Sequence, residues 1–376
     1  MRFFVQSIEL QKALASVGSV IPSKSTLPIL ENFLFEISKD KLTIAATDLD
    51  TSISMIIPVK NSQEGKIAVP AKRLSETIRA LPNTEVEFSA DVQSNKILLI
   101  TRNEKKETTG EYKLTGETSD TYPSIPAFKG DRKLKMDNEA LRRLITKTSF
   151  AVSADELRPA MTGILFQIKK KEIRAVATDG HRLVRLTKSD FASDVEQEVV
   201  VPAKALNIVA KSAAEGESIF SFNENNAMLA FDNTSVVSRM IEEKYPNYES
   251  VIPLDNEKKL IVDKNQLLAS VRRTSLYASS TNHQVRFALK KNSLTVSAED
   301  IDFGSEARET IACEYSSDPM EIGFNSTYVV DILSHIDTDE VTFALSSPTR
   351  ACTVQPSEQR NGENLLMLVM PVRLNS

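Results

Sequence analysis

The chain has 376 residues, 41% hydrophobic and 26% charged, with 46 basic against 51 acidic side chains and a net charge of −5. That is the composition of an ordinary globular protein of two or three domains. No run approaches the ~18 apolar residues of a membrane span, the start Met1-Arg2-Phe3-Phe4-Val5 is too short for a signal sequence, and two cysteines, Cys313 and Cys352, make no disulfide framework, so a reducing cytoplasm is expected.

In chain order, the first predicted element is an amphipathic helix carrying Ile8, Leu10, Ala13, Leu14 and Val17. A strand Asn32–Ile37 follows, then a short polar run and a second strand ending Ala46-Thr47-Asp48-Leu49. Val69-Pro70-Ala71-Lys72 opens a second helix, Lys72 to Leu81. Tyr122-Pro123-Ser124-Ile125-Pro126 reads as a linker edge, because proline blocks helix and central strand alike.

The same order then returns. A helix with Leu141, Leu144 and Ile145, capped by Asp137 or Asn138, precedes Gly163–Ile168 and Ala177-Thr178-Asp179-Gly180. Val201-Pro202-Ala203-Lys204 opens a helix running to Ala213, and Tyr245-Pro246 through Ile252-Pro253 closes the copy. Asp48 and Asp179 are 131 positions apart (179 − 48). A third, more worn copy has Asp263 capping Leu267, Leu268 and Val271, then Val285–Leu289, Leu294–Asp300, and a helix from Tyr328 to Ile336. A repeat of this length is a domain and no solenoid module. The expectation is three homologous α+β domains, 1–126, 127–253 and 254–376, each with two helices packed on antiparallel sheets.

Net negative charge argues weakly against a nucleic-acid partner, but distribution matters more than the sum. The helices lean basic: Lys12; Lys72, Arg73 and Arg79; Arg142, Arg143 and Lys147; Lys204 and Lys211; Arg272 and Arg273. The sixth is the exception, with Asp331 and His335 and no cation.

Catalytic sets are scarce. His181, His283 and His335 show no metal-site spacing, there is no CxxC, and there is no glycine-rich phosphate loop. Thr178-Asp179-Gly180-His181-Arg182-Leu183 alone looks chemical. It reads as an acid–base pair, as a tight turn leaving a strand, or as a surface recognition feature. A turn or a recognition surface is favoured over catalysis, because the other copies keep the aspartate without Gly-His-Arg. The C-terminus, Leu365 to Leu374, is a core strand up to Leu368. Pro371 then ends ladder pairing, leaving Met370, Val372 and Leu374 as adaptable apolar surface.

At these residues the chain resembles the bacterial sliding clamp family, the β subunit of DNA polymerase III. The matching stretches are Thr26-Leu27-Pro28-Ile29-Leu30, Val69 to Lys72, Ala177 to Leu183, Tyr245-Pro246-Asn247-Tyr248, Met320 to Asn325, and Met370-Pro371-Val372-Arg373-Leu374, in order from end to end. The resemblance implies the DNA clamp fold, half of a ring completed by a second copy joined head to tail, around duplex DNA held without sequence choice. No catalysis, cofactor or metal is implied. Lys24, Lys72, Arg73, Arg142, Arg143, Arg158 and Lys204 are the implied DNA-facing residues. The loop Ala154 to Pro159 departs from the family at Asp155 and Pro159.

The resemblance also implies a cleft for short linear peptides from polymerase subunits, the clamp loader and repair proteins. It lies between domain two and the C-terminal tail, and the matching positions are Met161, Thr178, Gly180, His181, Arg182, Leu183, Pro246, Val251 and the run Leu368, Val369, Met370, Pro371, Val372, Arg373 and Leu374. Arg182 and Arg373 are expected at its polar rim. Ser250 replaces an arginine of some members, and Asn375 and Ser376 extend past the usual last leucine. Tyr112 and Leu114 are matched to the first domain's subunit contact, Leu276 and Tyr277 to the third's, with looser alignment over Glu104 to Glu107. The alternatives are an enzyme using Asp179 and His181, and a clamp-like peptide adaptor that does not encircle DNA.

Overall fold

The computed structural model describes residues 1–103, 107–125, 128, 130 and 132–374. Among them are six α-helices: α1 Ser7–Val17, α2 Ala71–Ala80, α3 Asn138–Thr146, α4 Ala203–Ser212, α5 Lys264–Thr274 and α6 Ser326–Ser334. Glu104 to Lys106, Pro126, Asn375 and Ser376, on which parts of the sequence reading fell, lie outside the described residues.

The helices form where the pattern asks for them. In α2, Ala71, Leu74 and Ile78 are buried while Lys72, Arg73, Glu76 and Arg79 face water. Asp137 accepts the Ala140 N–H (3.0 Å), Asp263 caps α5 through Gln266 N–H (2.7 Å), and Asn325 caps α6 through Thr327 N–H (2.9 Å). One expectation shifts. Ile8 is 42% exposed, and Ser7 takes the inward place instead. Its buried hydroxyl donates to Pro82 O (2.8 Å) and accepts from Thr84 N–H (3.0 Å).

The chain divides into two compact units, Met1–Arg142 with Lys204–Met240, and Arg143–Ala203 with Ile241–Ser376. The first holds a five-stranded sheet in the order Lys60–Gln63, Arg2–Gln6, Glu85–Asp91, Lys96–Arg102, Thr108–Thr115. It also holds an eight-stranded one: Arg132–Asp137, Glu217–Phe222, Asn226–Phe231, Thr234–Arg239, Thr51–Pro58, Lys41–Thr47, Asn32–Ser38, Gly65–Pro70. The second has an eight-stranded sheet: Gln197–Pro202, Gly163–Lys169, Glu172–Thr178, Arg182–Lys188, Glu363–Val369, Cys352–Pro356, Glu340–Leu345, Lys258–Asp263. Its four-stranded sheet runs Ser305–Ala312, Ser293–Asp300, Gln284–Lys290, Met320–Asn325. Every named pairing is antiparallel.

These units do not follow the repeat boundaries, for a physical reason. Each eight-stranded sheet takes four strands from the central repeat or its flank and four from a neighbour, so the ladder stitches repeats together. The registers are copies. Ile53 lies opposite Val236 in the first sheet and Val184 opposite Met367 in the second, each partner displaced by the same 131 positions (184 − 53; 367 − 236). Under the first unit's sheets Phe3, Phe35 and Phe88 are fully buried, with Phe3 and Phe88 stacked at 4.8 Å. Phe287 meets Phe324 edge-on at 5.3 Å in the second. Each such ring contributes roughly 2–3 kcal/mol by burial.

Candidate functional site

The strand Glu172–Thr178 leaves its sheet through a turn built by side chains. Asp179 Oδ1 accepts the N–H of His181 and of Arg182, both at 2.9 Å, and Thr178 Oγ donates to Arg182 O (2.6 Å) while accepting Gly180 N–H (3.1 Å). Gly180 has φ +90°, a left-handed conformation that a side chain resists. Both Asp179 oxygens are engaged, since Oδ2 takes Arg182 Nε at 3.1 Å. The carboxylate is the scaffold of the turn.

Arg182 is only 9% exposed, which corrects its expected place at a polar rim. A guanidinium removed from water must have every donor answered. Nη1 pairs with Asp331 of α6, Nη2 donates to Phe150 O (2.7 Å), and the plane lies between the rings of Phe150 (5.3 Å) and Tyr328 (4.8 Å). His181 also stacks on Tyr328, centroids 5.8 Å apart and planes 15° apart. Sequence reasoning missed Tyr328, Phe150 and Asp331 as parts of this site. The one available signal was the oddity of α6, an aspartate without a cation on its own helix.

The turn opens onto an apolar wall. Leu183, Leu368, Leu165, Val176, Val200, Tyr245 and Tyr248 form one buried cluster, with Ile241 and Ile252 packed against it. Leu183 and Leu368 are therefore floor, at 1% and 2% exposure, whereas Val369, next along the strand, is buried on the opposite face of the sheet; Met161 is buried too. Pro246, Val251 and Met370 are exposed above that floor. The short helix Tyr248–Val251 that carries Val251 is pinned from below: Tyr248 donates to Gln167 Oε1 (2.6 Å), and Arg174 joins Glu249 (2.9 Å) and Glu172 (3.0 Å). Burial raises the Tyr248 hydroxyl's pKa, keeping it a donor. Ser250 donates to Asn247 O (2.7 Å) and so closes its own turn.

The tail is less free than its sequence implied. Met370 N–H donates to His181 O (2.8 Å), Val372 N–H to Gly323 O (2.9 Å), and Arg373 O accepts from Gln284 Nε2 (3.0 Å). Pro371 ends the ladder as expected, yet one residue later Val372 makes a single bridge to Gly323 of a different strand, Met320–Asn325. Leu374 Cδ2 lies only 2.8 Å from where a Cβ on Gly323 would stand, too close for a side chain there.

The seven expected DNA-facing residues separate in the structure. Lys24, Lys72 and Arg73 are exposed, and no ion pair holds them among the described residues. Lys204 is exposed but pairs with Asp48. Arg142 donates to Ala213 O (2.6 Å). Arg143 is taken up: Glu363 (2.7 Å) and Asp337 (2.9 Å) hold its guanidinium. Lys147 joins that cluster through Asp337 and His335 O. Burial lowers the pKa of His335, whose ring stacks on Phe150 at 4.0 Å. Arg158 is placed on the Gly180 turn, where Nε meets Asp155 (2.9 Å) and Nη1 donates to Asp179 O (3.2 Å). Its neighbour Leu157 is 91% exposed.

Of the expected contact residues, Tyr112 and Leu114 are half-buried on an edge strand, and Leu276 and Tyr277 are 81% and 45% exposed on a short turn after α5.

Tandem α+β modules stitched by shared sheets, with an apolar cleft and a chemically occupied aspartate, define a clamp-type scaffold protein. Models of the DNA polymerase III beta subunit match the N-terminal domain at residues 1–126, the central domain at 135–247 and the C-terminal domain at 249–373. The chain is 29% identical to the beta sliding clamp of Pseudomonas aeruginosa over the whole of both chains, and 28% identical to that of Bacillus subtilis over 99% of this chain and all of that one. A crystal structure of a DnaN sliding clamp from Bartonella birtlesii bound to griselimycin is similar with a TM-score of 0.93 at 27% identity, covering both chains fully. The chain belongs to the DNA polymerase III beta subunit family, has its three-domain clamp fold, and functions as a DNA sliding clamp.

Proposed function

We propose that the chain works as one of two subunits of a ring around duplex DNA, and that the cleft at the Asp179 turn receives short linear peptides of the replicative polymerase, the clamp loader and repair proteins. The reading also makes it a non-catalytic, cytoplasmic processivity factor. Lys24, Lys72 and Arg73 are the first DNA contacts in this reading, because they are exposed cations without a carboxylate partner among the described residues. Lys204 and Arg142 are secondary ones. Such contacts reach phosphate and read no base, which permits sliding. Arg158 belongs with the peptide cleft, beside Met161 and Gly180.

One observation carries the cleft. Copy one builds the same turn with Leu49-Asp50-Thr51-Ser52, and copy two has Gly180-His181-Arg182-Leu183 at those positions. Where Ser52 is buried, Leu183 extends an apolar floor, and where Leu49 projects, Gly180 leaves space for an incoming side chain. A peptide's leucine or aromatic anchor gains most of its affinity in such a desolvated pocket.

The test uses topology. Protein placed by its loader on a nicked circle is expected to stay through gel filtration at ~0.5 M salt and to leave when the circle is linearised. Retention on the linear product, or no retention on the circle, would replace the ring by an adaptor that docks on peptides alone.

A further inference from the structure

We propose that Arg185 forms a carboxylate-binding subsite of the peptide cleft, receiving an acidic side chain or the terminal carboxylate of the docking peptide beside the apolar floor that takes its anchor. The inference rests on the peptide-cleft reading above and adds to it a charge by which the cleft selects among peptides.

The strand Arg182–Lys188 leads from the Asp179 turn into the middle of its sheet. Side chains alternate across a strand. Val184 and Leu186, at 0% and 1% exposure, point into the core on one face, and Arg185 stands on the other with Leu183. Its cross-strand neighbours are Val176 on one side and Leu366 on the other. Leu183 and Val176 belong, with Tyr248, to the buried cluster under the cleft. Arg185 is half-buried and sits about 7 Å along the strand from Leu183. It therefore borders the floor on the side away from the Gly180 turn.

A guanidinium keeps its charge throughout the physiological range and carries five N–H donors in a planar fork. Around Arg185 they find little. Nε is buried and has no acceptor among the described residues. Nη2 reaches only Asn364 Oδ1, at 3.4 Å, and no carboxylate among the described residues pairs with the group. The neighbouring arginines differ. Arg174, one strand over, also buries Nε without an acceptor, but its Nη groups hold Glu249 (2.9 Å) and Glu172 (3.0 Å). Arg182 is closed by Asp179, Asp331 and Phe150 O. Glu249, on the short helix above the floor, is thus taken by Arg174. A half-buried cation without a counterion carries a desolvation cost. A carboxylate that arrives with a peptide offsets it, accepting two parallel bonds from the Nη groups.

Copy one supplies the comparison within the same chain. Its position 54 corresponds to 185 (185 − 54 = 131), and there stands Ser54, opposite Ala45 and Ser235. Copy one thus has Ser52 and Ser54 where copy two has Leu183 and Arg185. The two differences fall on alternate residues of one strand, hence on one face. The module that gains the apolar floor gains the cation beside it. An extended peptide advances about 3.3 Å per residue, so an acid about two or three residues from an anchor on the floor reaches Arg185.

Fluorescence polarisation with the full chain tests this. The probes are fluorescein-labelled peptides with one Leu-Phe anchor and one aspartate, moved stepwise along either side of the anchor. At the position that reaches Arg185, the aspartate peptide is expected to bind about tenfold tighter than its asparagine twin. In Arg185→Gln that ratio is expected to fall to within about twofold. In Arg185→Glu, lysine at the same peptide position is expected to bind better than aspartate. Peptides that end at that position, with a free carboxylate or an amide, separate the two sources of the charge. A preference for the free end, lost in Arg185→Gln, assigns the subsite to the chain terminus, and a preference for aspartate assigns it to a side chain. No preference for either carboxylate in the parent would overturn the subsite. So would an Arg185→Gln protein that weakens charged and neutral peptides equally, which would make Arg185 a packing residue. A parent chain that binds none of the peptides would overturn the cleft reading itself, and the subsite with it.

Discussion

The carboxylate of Asp48 accepts the N–H groups of Asp50 (3.1 Å) and Thr51 (2.7 Å), and the carboxylate of Asp179 accepts those of His181 and Arg182, both at 2.9 Å. The second oxygen then binds a cation in each case, Lys204 for Asp48 and Arg182 for Asp179. Asp300 repeats the first half of the device with Asp302 (3.1 Å) and Phe303 (3.3 Å). One scaffold turn thus serves three modules, and the cleft is what copy two adds to it.

The residue after each aspartate differs where it matters. Leu49 has φ +83° and Gly180 φ +90°. A leucine in that region carries about 1–2 kcal/mol of backbone strain. Leu49→Gly releases it but loosens the unfolded chain by about 0.5–1 kcal/mol. The expected result is a melting temperature unchanged or slightly raised. Gly180→Ala imposes strain on the cleft turn, with its Cβ 3.1 Å from Arg158 Nη1. Peptide affinity measured by fluorescence polarisation is expected to fall about tenfold. A Gly180→Ala protein that binds peptide as well as the parent would show that the turn's conformation is not needed.

Arg182 predicts a different pattern. Lysine in its place keeps the charge but cannot reach Asp179, Asp331 and Phe150 O together or lie flat between two rings. Arg182→Lys is expected to cost about 2–3 kcal/mol of stability, read by denaturant titration. Asp331→Asn leaves the guanidinium its other partners and is expected to cost about 1 kcal/mol. Equal, negligible costs for both would mean that the buried clasp is not holding the turn.

Much of this was legible beforehand and some was not, for reasons tied to particular residues. Helix caps at Asp137 and Asp263 and the repeated Asp48/Asp179 turn are local, so their spacing in the chain reports them. The Ile8 face was misjudged because Ser7 satisfies its hydroxyl on Pro82 and Thr84, a partner set far away in sequence. Arg143 and Arg182 read as surface cations because Glu363 and Asp331 stand 220 and 149 positions along the chain. Charge on a helix tells which residues are basic, and only the fold tells which of them have been neutralised.

Glu87 supplies a pH signature in the first unit. Burial alone would raise its pKa, but hydrogen bonds from Arg102 and Arg2 outweigh that and hold it below the ordinary value of 4.5. A carboxylate with a depressed folded pKa adds stability that is complete above its unfolded pKa and is lost as pH falls through the folded one. The loss of stability in Glu87→Gln, about 1–2 kcal/mol at pH 7, is therefore expected to shrink steadily below pH ~4.5. Paired melts of parent and variant from pH 7 to 3 check it. A difference that stays constant would assign the effect to packing.

Lys72 and Arg73 are exposed on α2 with no ion pair among the described residues, whereas Arg143 is held between Glu363 and Asp337. The two kinds of cation should behave differently toward duplex DNA. Each phosphate contact removed reduces the slope of log affinity against log salt by about 0.9. Lys72→Ala with Arg73→Ala is expected to flatten that slope by nearly two, with the same loss for any DNA sequence and no change in peptide binding. Arg143→Ala is expected to leave the slope within about 0.3 of the parent, because its charge is already spent on the chain's own carboxylates. It should instead destabilise the second unit by about 3 kcal/mol, since Glu363, with a side chain only 6% exposed, loses its partner. Anisotropy titrations at several salt concentrations, set beside melting curves of the same proteins, separate the two effects. An Arg143→Ala protein of normal stability but flattened slope would return Arg143 to the DNA-facing set.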